Sequence, residues 1–492
     1  MAWTFKIFPS IGIARLGNCP NDSASDFYLG PEIPGSVIVP TNGYKDPQGR
    51  VRRQAGRFRI FGWEDNVFMG EITSAAADIT WTVELANSKA AFNQFQGIGH
   101  TNGPLRNASV ANRSSLMITP GPRSVGPGPG DKAAFETGQF LGNPVPLGEI
   151  QTDSAGRLLV LGGFGSSSSP INAPLTTFAN NDGWHDDISD GPVTATVAYG
   201  KSIYQASGAW VICPPPRFAP PITHSISLYD RLLQAMVDRY GYQVPATPSF
   251  TNDVYPILRS QFLTQWVSNK LPNSFYAALL AVIPPPATSA QRNAVFQQFR
   301  PPSTPPTEAT PHLMPAVWTD YFADITTGGW VNHPLTVTQY NILQAWRDGN
   351  FINDWVGPPS PGASITPDGL TRAALENGSG GPFFPGIETS FLTPMQYPFV
   401  EPFRLDGTLL HAGDLTKQNA VPWQTDFNDC QFQSPLSWWP PARPDNVFTA
   451  SSNNYVAWDR GVKSGADMVN LWSGLGFLVQ SGNAVIEIDR TI

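Results

Sequence analysis

Forty-five glycines and 49 prolines punctuate the 492-residue chain, spread along its length instead of gathered in one tract. Proline removes a backbone donor and fixes φ, and glycine adopts turn conformations that other residues avoid, so long uninterrupted helices or strands have little room between them. Their spread predicts many ordered turns and not disorder. Short alternating runs at residues 79–85, 158–161 and 193–197 read as strands, and residues 1–224 are expected to be β-rich. From Ser225 the hydrophobic period lengthens, with Leu228, Leu232, Ala235 and Met236 on one face. Residues 257–267, 290–299 and 338–347 are further helix candidates, which makes 225–350 a helical segment. Residues 351–492 read as mixed: a helix over 366–377, a glycine-rich turn at 380–388, a loop at 423–430, a helix over 467–475 and a last strand through 486–488. The proline-rich stretches 214–221, 284–286 and 301–311 fit extended segments laid on a surface as well as linkers. The expected fold is a β-rich α+β unit with three interwoven parts, the last carrying the chemistry.

Composition excludes several functions. Only 14% of residues are charged, against about a quarter in an average soluble domain. The net charge of −8 gives no basic footprint for nucleic acid. No run is apolar for long enough to span a bilayer, so no membrane partner is expected. Residues 1–9 lack the apolar core of a secretory signal, and a cytoplasmic or non-classically released protein is expected. Cys19, Cys213 and Cys430 form neither a disulfide framework nor a zinc spacing, and the six histidines never fall at the paired helical spacing of a zincin, so no metal site is expected. Residues 126–132 lack the Gly-Lys-Ser/Thr of a phosphate loop. The glycine run 161–166 leads into serines and proline, not into the amphipathic helix of a dinucleotide fingerprint.

Two places carry residue types suited to chemistry. Asp426 stands four positions before Cys430, and a carboxylate beside a thiol raises its pKa and weakens it as a nucleophile. Cys430 therefore reads as a thiol to be modified. The stretch 180–192 gathers Asp182, His185, Asp186, Asp187 and Asp190, either as an Asx-turn network or as a pocket wall with Trp184 or His185 facing substrate. A metal-dependent hydrolase built on the same carboxylates is a weaker reading. Glu388, Arg123 and Arg443 are candidate contacts for an amino acid's charged groups, with a structural role as the alternative for each.

Residues 11–18, 27–32, 52–61, 80–87, 180–192, 383–388 and 423–430, taken together, resemble the cysteine tryptophylquinone (CTQ) dependent amino acid oxidases over nearly the whole chain. The resemblance implies a thioether from the Cys430 sulfur to a tryptophan whose indole is oxidised to an ortho-quinone. Trp472, in the run Met468-Val469-Asn470-Leu471-Trp472-Ser473-Gly474-Leu475-Gly476, fits that role better than Trp438, Trp439 or Trp458. The primary amine of an amino acid would attack the quinone, a base would remove the α-proton, and the electrons would enter the ring. Hydrolysis would release an aldehyde or keto acid, and dioxygen (O2) would restore the quinone with ammonia and hydrogen peroxide as products. Asp426 matches the family aspartate suited to acid/base work, with Asp429 as its rival. A flavin-dependent maturation protein is the implied partner, because this chain carries no flavin motif, and a homo-oligomer is compatible with the resemblance. Two departures touch specificity: Ser379 stands before Gly380-Gly381 where a lysine-oxidising relative carries cysteine, and His185 replaces an aromatic residue. The competing class is a quinone-less homologue acting as a binding or interaction protein.

Overall fold

The computed structural model describes residues 2–23, 25–94, 103–128, 130–268, 273–302, 313–315, 318–324, 329–332, 334–359, 362–380, 386–389, 398–429, 439–449 and 454–492. Two antiparallel-dominated sheets organise the amino-terminal part. In a seven-stranded sheet, Arg53–Glu64 is flanked by Trp3–Phe8 and Leu158–Leu161, and the order continues through Glu149–Thr152 to Lys132–Ala134. In a six-stranded sheet the order runs Ile11–Ile13, Ala209–Cys213, Ser189–Tyr199, Asp78–Val83, Arg123–Val125. The step from Phe8 to Ile11 carries the chain from one sheet to the other. Ile11–Ile13 pairs parallel to Ala209–Cys213, so the start of this region and its end lie side by side.

The helices among the described residues are α1 Leu228–Tyr240, α2 Tyr255–Leu263, α3 Asn273–Leu280, α4 Ser289–Phe296, α5 Val337–Arg347, α6 Pro367–Glu376, α7 Trp423–Asp429 and α8 Gly465–Leu471. Ser227, Thr288 and Thr336 close capping boxes at α1, α4 and α5, satisfying donors that each helix start leaves open. α1 ends where Gly241 turns left-handed, at φ 65°.

α3 escapes a reading by period, because its apolar residues run nearly continuously. α7 overturns a second expectation: residues 423–429, read as a loop, form a helix. The stretch 180–192 is likewise more regular than expected, holding the short strand His185–Asp186 and the start of Ser189–Tyr199.

The main core joins both sheets to the carboxy-terminal part, with Phe5, Val160, Trp81 and Val193 in one cluster with Trp423, Phe427, Trp458 and Trp472. A second cluster lies among α2 to α5 around Phe250, Leu258, Phe296 and Trp346. A third seats α1 and α6 on the back of the second sheet through Trp210, Leu232 and Leu375.

Candidate active site

A seven-residue helix is too short to stand alone in water, so α7 depends on tertiary anchors. Its residues Trp423 to Asn428 are all buried. At its start the Trp423 backbone N–H donates to Asp186 Oδ2 at 2.9 Å, which places a carboxylate at the positive end of the helix. The Thr425 hydroxyl donates to the Phe178 carbonyl at 2.8 Å. At the far end Arg443 Nε donates to the Phe427 carbonyl at 2.5 Å, while its Nη2 meets Asp459 at 2.5 Å.

Asp186 is neutralised by Lys89, whose ammonium lies 2.5 Å from Oδ2 in a fully buried pair and also donates to the Ala420 carbonyl at 2.7 Å. Burial holds the Lys89 pKa below its ordinary value, and the Asp186 charge opposes that shift. Asp190 continues the clamp: its Oδ1 accepts from the Thr416 N–H and hydroxyl, at 2.9 and 2.6 Å, and its Oδ2 from Trp210 Nε1 and the Leu415 N–H. Asn181 makes the local turn bonds expected of such a stretch, accepting from the Thr176 and Thr177 N–H groups, and also donates to the distant Val421 carbonyl. The carboxylates of Asp186, Asp187 and Asp190 thus hold backbone from other parts of the chain. Among the described residues Asp187 Oδ1 and His185 Nδ1 have no hydrogen-bond partner, yet no three His, Cys, Asp or Glu side chains are grouped there to hold a metal ion.

α8 lies against α7 at close range, since a Cβ on Gly465 would sit 3.0 Å from Thr425 Cγ2. α8 runs into a 3-10 turn that begins at Trp472, whose side chain is buried. The Trp472 and Trp423 rings meet edge to face, 5.8 Å between centroids at 67°. On another side the loop 162–168 lies directly on the Trp472 benzenoid ring. A Cβ at Gly165 would fall 2.3 Å from Trp472 Cζ2 and 2.9 Å from Cη2, and Gly165 has a φ of +72°, so both space and backbone call for glycine. Gly474 and Gly476 also permit close approach, toward Ile492 and Glu487.

The loop over the indole is fixed from below. Asp187 Oδ2 accepts from the Phe164 and Ser166 N–H groups at 2.6 and 3.0 Å. Gln424 on α7 donates to the Gly165 carbonyl at 3.1 Å and accepts from the Ser167 hydroxyl at 2.6 Å. Burial pushes the Asp187 carboxyl up to about 7; the neighbouring Asp186 charge adds to this and the N–H donors oppose it.

Asp426 is buried on α7, one helical turn beyond Trp423, and so shares the face of the helix that meets Trp472. Cys430 follows α7 directly and lies outside the described residues. His185 is buried with its Nε2 2.9 Å from the Ser168 hydroxyl, on the loop that covers Trp472, and burial holds its imidazole below the ordinary histidine range. Trp184 is half-buried and donates its indole N–H to the Ala173 carbonyl. Glu388 is buried in an ion pair with Arg15 at 2.7 Å and accepts from the Ser379 N–H at 2.6 Å, so it anchors the segment around Ser379. Arg15 Nη2 also donates to the Asn377 carbonyl at 2.5 Å. Arg443 holds α7, and Arg123 donates to the Ala134, Pro120 and Pro122 carbonyls; both are structural.

Sequence reasoning did not reach Gly165, Lys89, Gln424 or Trp423. A glycine run with no nucleotide-binding context was the one visible signal for the first, and no sequence pattern pairs Lys89 with Asp186, 97 positions away.

This arrangement, a buried tryptophan under a glycine loop beside a clamped short helix, sits on a fold shared with amino acid oxidoreductases. The chain belongs to the L-lysine epsilon oxidase family: the family's amino-terminal domain matches residues 8–213 and its carboxy-terminal domain residues 331–450. It is similar to the L-lysine 6-oxidase of Marinomonas mediterranea, at 26% identity over 96% of this chain and 87% of that one. A structure of the Schiff base intermediate of the L-Lys epsilon-oxidase from that organism with L-Lys superposes with a TM-score of 0.77, 26% identity, and coverage of 99% of this chain and 95% of the other. A second structure of the epsilon-lysine oxidase from the same organism gives 0.78 at 25% identity, with the same coverage.

Proposed function

We propose that this chain oxidises the primary amine of an amino acid with a quinone made from its own Cys430 and Trp472. The observation that carries the reading is the setting of Trp472. Its indole is buried, and the two ring carbons that a Cβ at Gly165 would meet first, Cζ2 and Cη2, are those that an ortho-quinone would oxidise. The fit of such a group rests on that contact: only a glycine lets the backbone lie this close to those carbons, because a Cβ there would collide with the ring. Cys430 is the next residue after a helix packed on the helix that leads into Trp472.

The quinone would supply an electrophilic carbonyl and an electron sink. The chain's own groups do the rest. Asp426 accepts the α-proton of the substrate and serves as the base during cofactor formation. Trp423 and Gly165 fix the plane of the reactive ring. His185, Trp184 and Glu388 belong to the shell around the substrate: His185 through the Ser168 end of the covering loop, Glu388 through Ser379. Dioxygen takes the electrons, and the products are an aldehyde or keto acid, ammonia and hydrogen peroxide. A flavin-dependent partner inserts the oxygen atoms during maturation. L-Lysine, the substrate of the relative, is the first amino acid to test.

The test is peroxide release across the amino acids by protein co-expressed with such a flavoprotein. Asp426→Asn is expected to abolish both quinone absorbance and turnover. Retained absorbance with normal turnover removes Asp426 from the mechanism.

A further inference from the structure

Away from Trp472, α1, the Phe250–Val254 turn, α2, α5 and α6 enclose a cavity of about 230 Å³. A single water needs only about 10–15 Å³ by comparable measure, so the space suits an organic molecule. Leu233, Val244, Ile257 and Ile342 supply apolar wall, which gives such a molecule's body a place out of water.

The charges on the wall are unevenly matched. Arg372 is fully engaged: Nε meets Glu376 at 2.7 Å, Nη2 donates to the Asn252 carbonyl at 2.6 Å, and the guanidinium lies over the Tyr229 ring. Glu376 is engaged by Arg372 and by the Gly35 N–H at 2.7 Å, and Asp253 by the Ser249 N–H at 2.8 Å. Arg259 differs. It bonds the Tyr255 hydroxyl and feels the Glu376 charge, yet it has no carboxylate at ion-pair distance among the described residues. Asp230 is its counterpart. One carboxylate oxygen accepts from the Ser227 N–H and hydroxyl, at 2.8 and 2.7 Å, and no cation stands at ion-pair distance among the described residues. Burial pushes that carboxyl up to about 6, with the Ser227 bonds and the Arg372 charge opposing the shift and the Glu376 charge adding to it. A cation and an anion that each lack an ion-pair partner among the described residues, with an apolar wall around one cavity, form the complement of a zwitterion with an apolar side chain.

We propose that this cavity is a second amino acid site, separate from the catalytic one, taking the carboxylate of an apolar α-amino acid at Arg259 and its ammonium at Asp230. The site requires no quinone, so it exists in the unmatured chain and stands or falls apart from the oxidase reading.

Calorimetric titration of the full chain expressed alone with L-leucine tests it, because that protein cannot turn the ligand over. Saturable binding is expected, and Arg259→Gln weakens it by about tenfold or more, the loss of one charge-assisted contact. N-acetyl-L-leucine and L-leucinamide, which each lack one charge, bind correspondingly worse, and Asp426→Asn leaves L-leucine binding unchanged. If Arg259→Gln does not fold, Asp230→Asn reads the ammonium half, and Leu233→Trp fills the cavity. No saturable binding of L-leucine, or binding that survives the folded cavity variants intact, overturns the proposal.

Discussion

Asp187 shows how one buried carboxyl governs the loop over the indole. Its pKa is raised to about 7, so the folded chain holds a proton there that the unfolded chain has released above the ordinary carboxylate range. The stabilisation from that proton is complete below about 4, the unfolded value, and is lost as pH rises through about 7. Asp187→Asn removes the titration while keeping an acceptor for the Phe164 and Ser166 N–H groups. Melting temperature measured from pH 5 to 8 should therefore fall more steeply in the wild type than in the variant, and parallel curves contradict the assignment. Little of this was legible beforehand. The sequence marks 180–192 as polar and turn-rich, but an aspartate that caps its own turn and one that holds a loop 21 positions upstream look alike until the chain is folded. Gly165 is hidden for the same reason, because its neighbour is an indole more than three hundred positions away. Trp472 itself was reached through family resemblance, since 15 tryptophans offer no local signal that separates one from the others.

At the scale of elements, α7 is the part most exposed to failure, being short, buried and held by groups from outside itself. The Lys89 and Asp186 pair is its main clamp. Lys89→Met leaves the Asp186 carboxyl buried without its cation, held by the Asn87 and Trp423 donors, and the expected cost is about 3–5 kcal/mol. Denaturant unfolding measures it, and Lys89→Met with Asp186→Asn should recover a good part, because Asn keeps an acceptor for the Trp423 N–H without the charge. A negligible loss in the single variant contradicts the clamp. The helices with a clear period and a Ser or Thr cap, α1, α5 and α6, were legible within a few residues. α7 was not, because all six of its first residues are buried and no polar face remains to give the 3.6-residue alternation.

Across the whole molecule, the change from two-residue to helical periodicity near Ser225 was readable, and so was the mixed character of the last part. That the parts interweave was expected, but which residues of the two ends meet was not readable. The main core draws on residues from Phe5 to Val485, and local pattern carries no information about such distant partners. The catalytic reading depends on that long-range closure, which brings the loop 162–168, α7 and α8 around one indole. Its central claim is a covalent bond, and intact mass with peptide mapping tests it most directly. Protein co-expressed with a flavin-dependent maturation partner should gain two oxygens and lose four hydrogens, with the Cys430 and Trp472 peptides recovered as one cross-linked species and Cys430→Ser lacking the cross-link. An unmodified mass in that preparation, with the two peptides separate, contradicts the account.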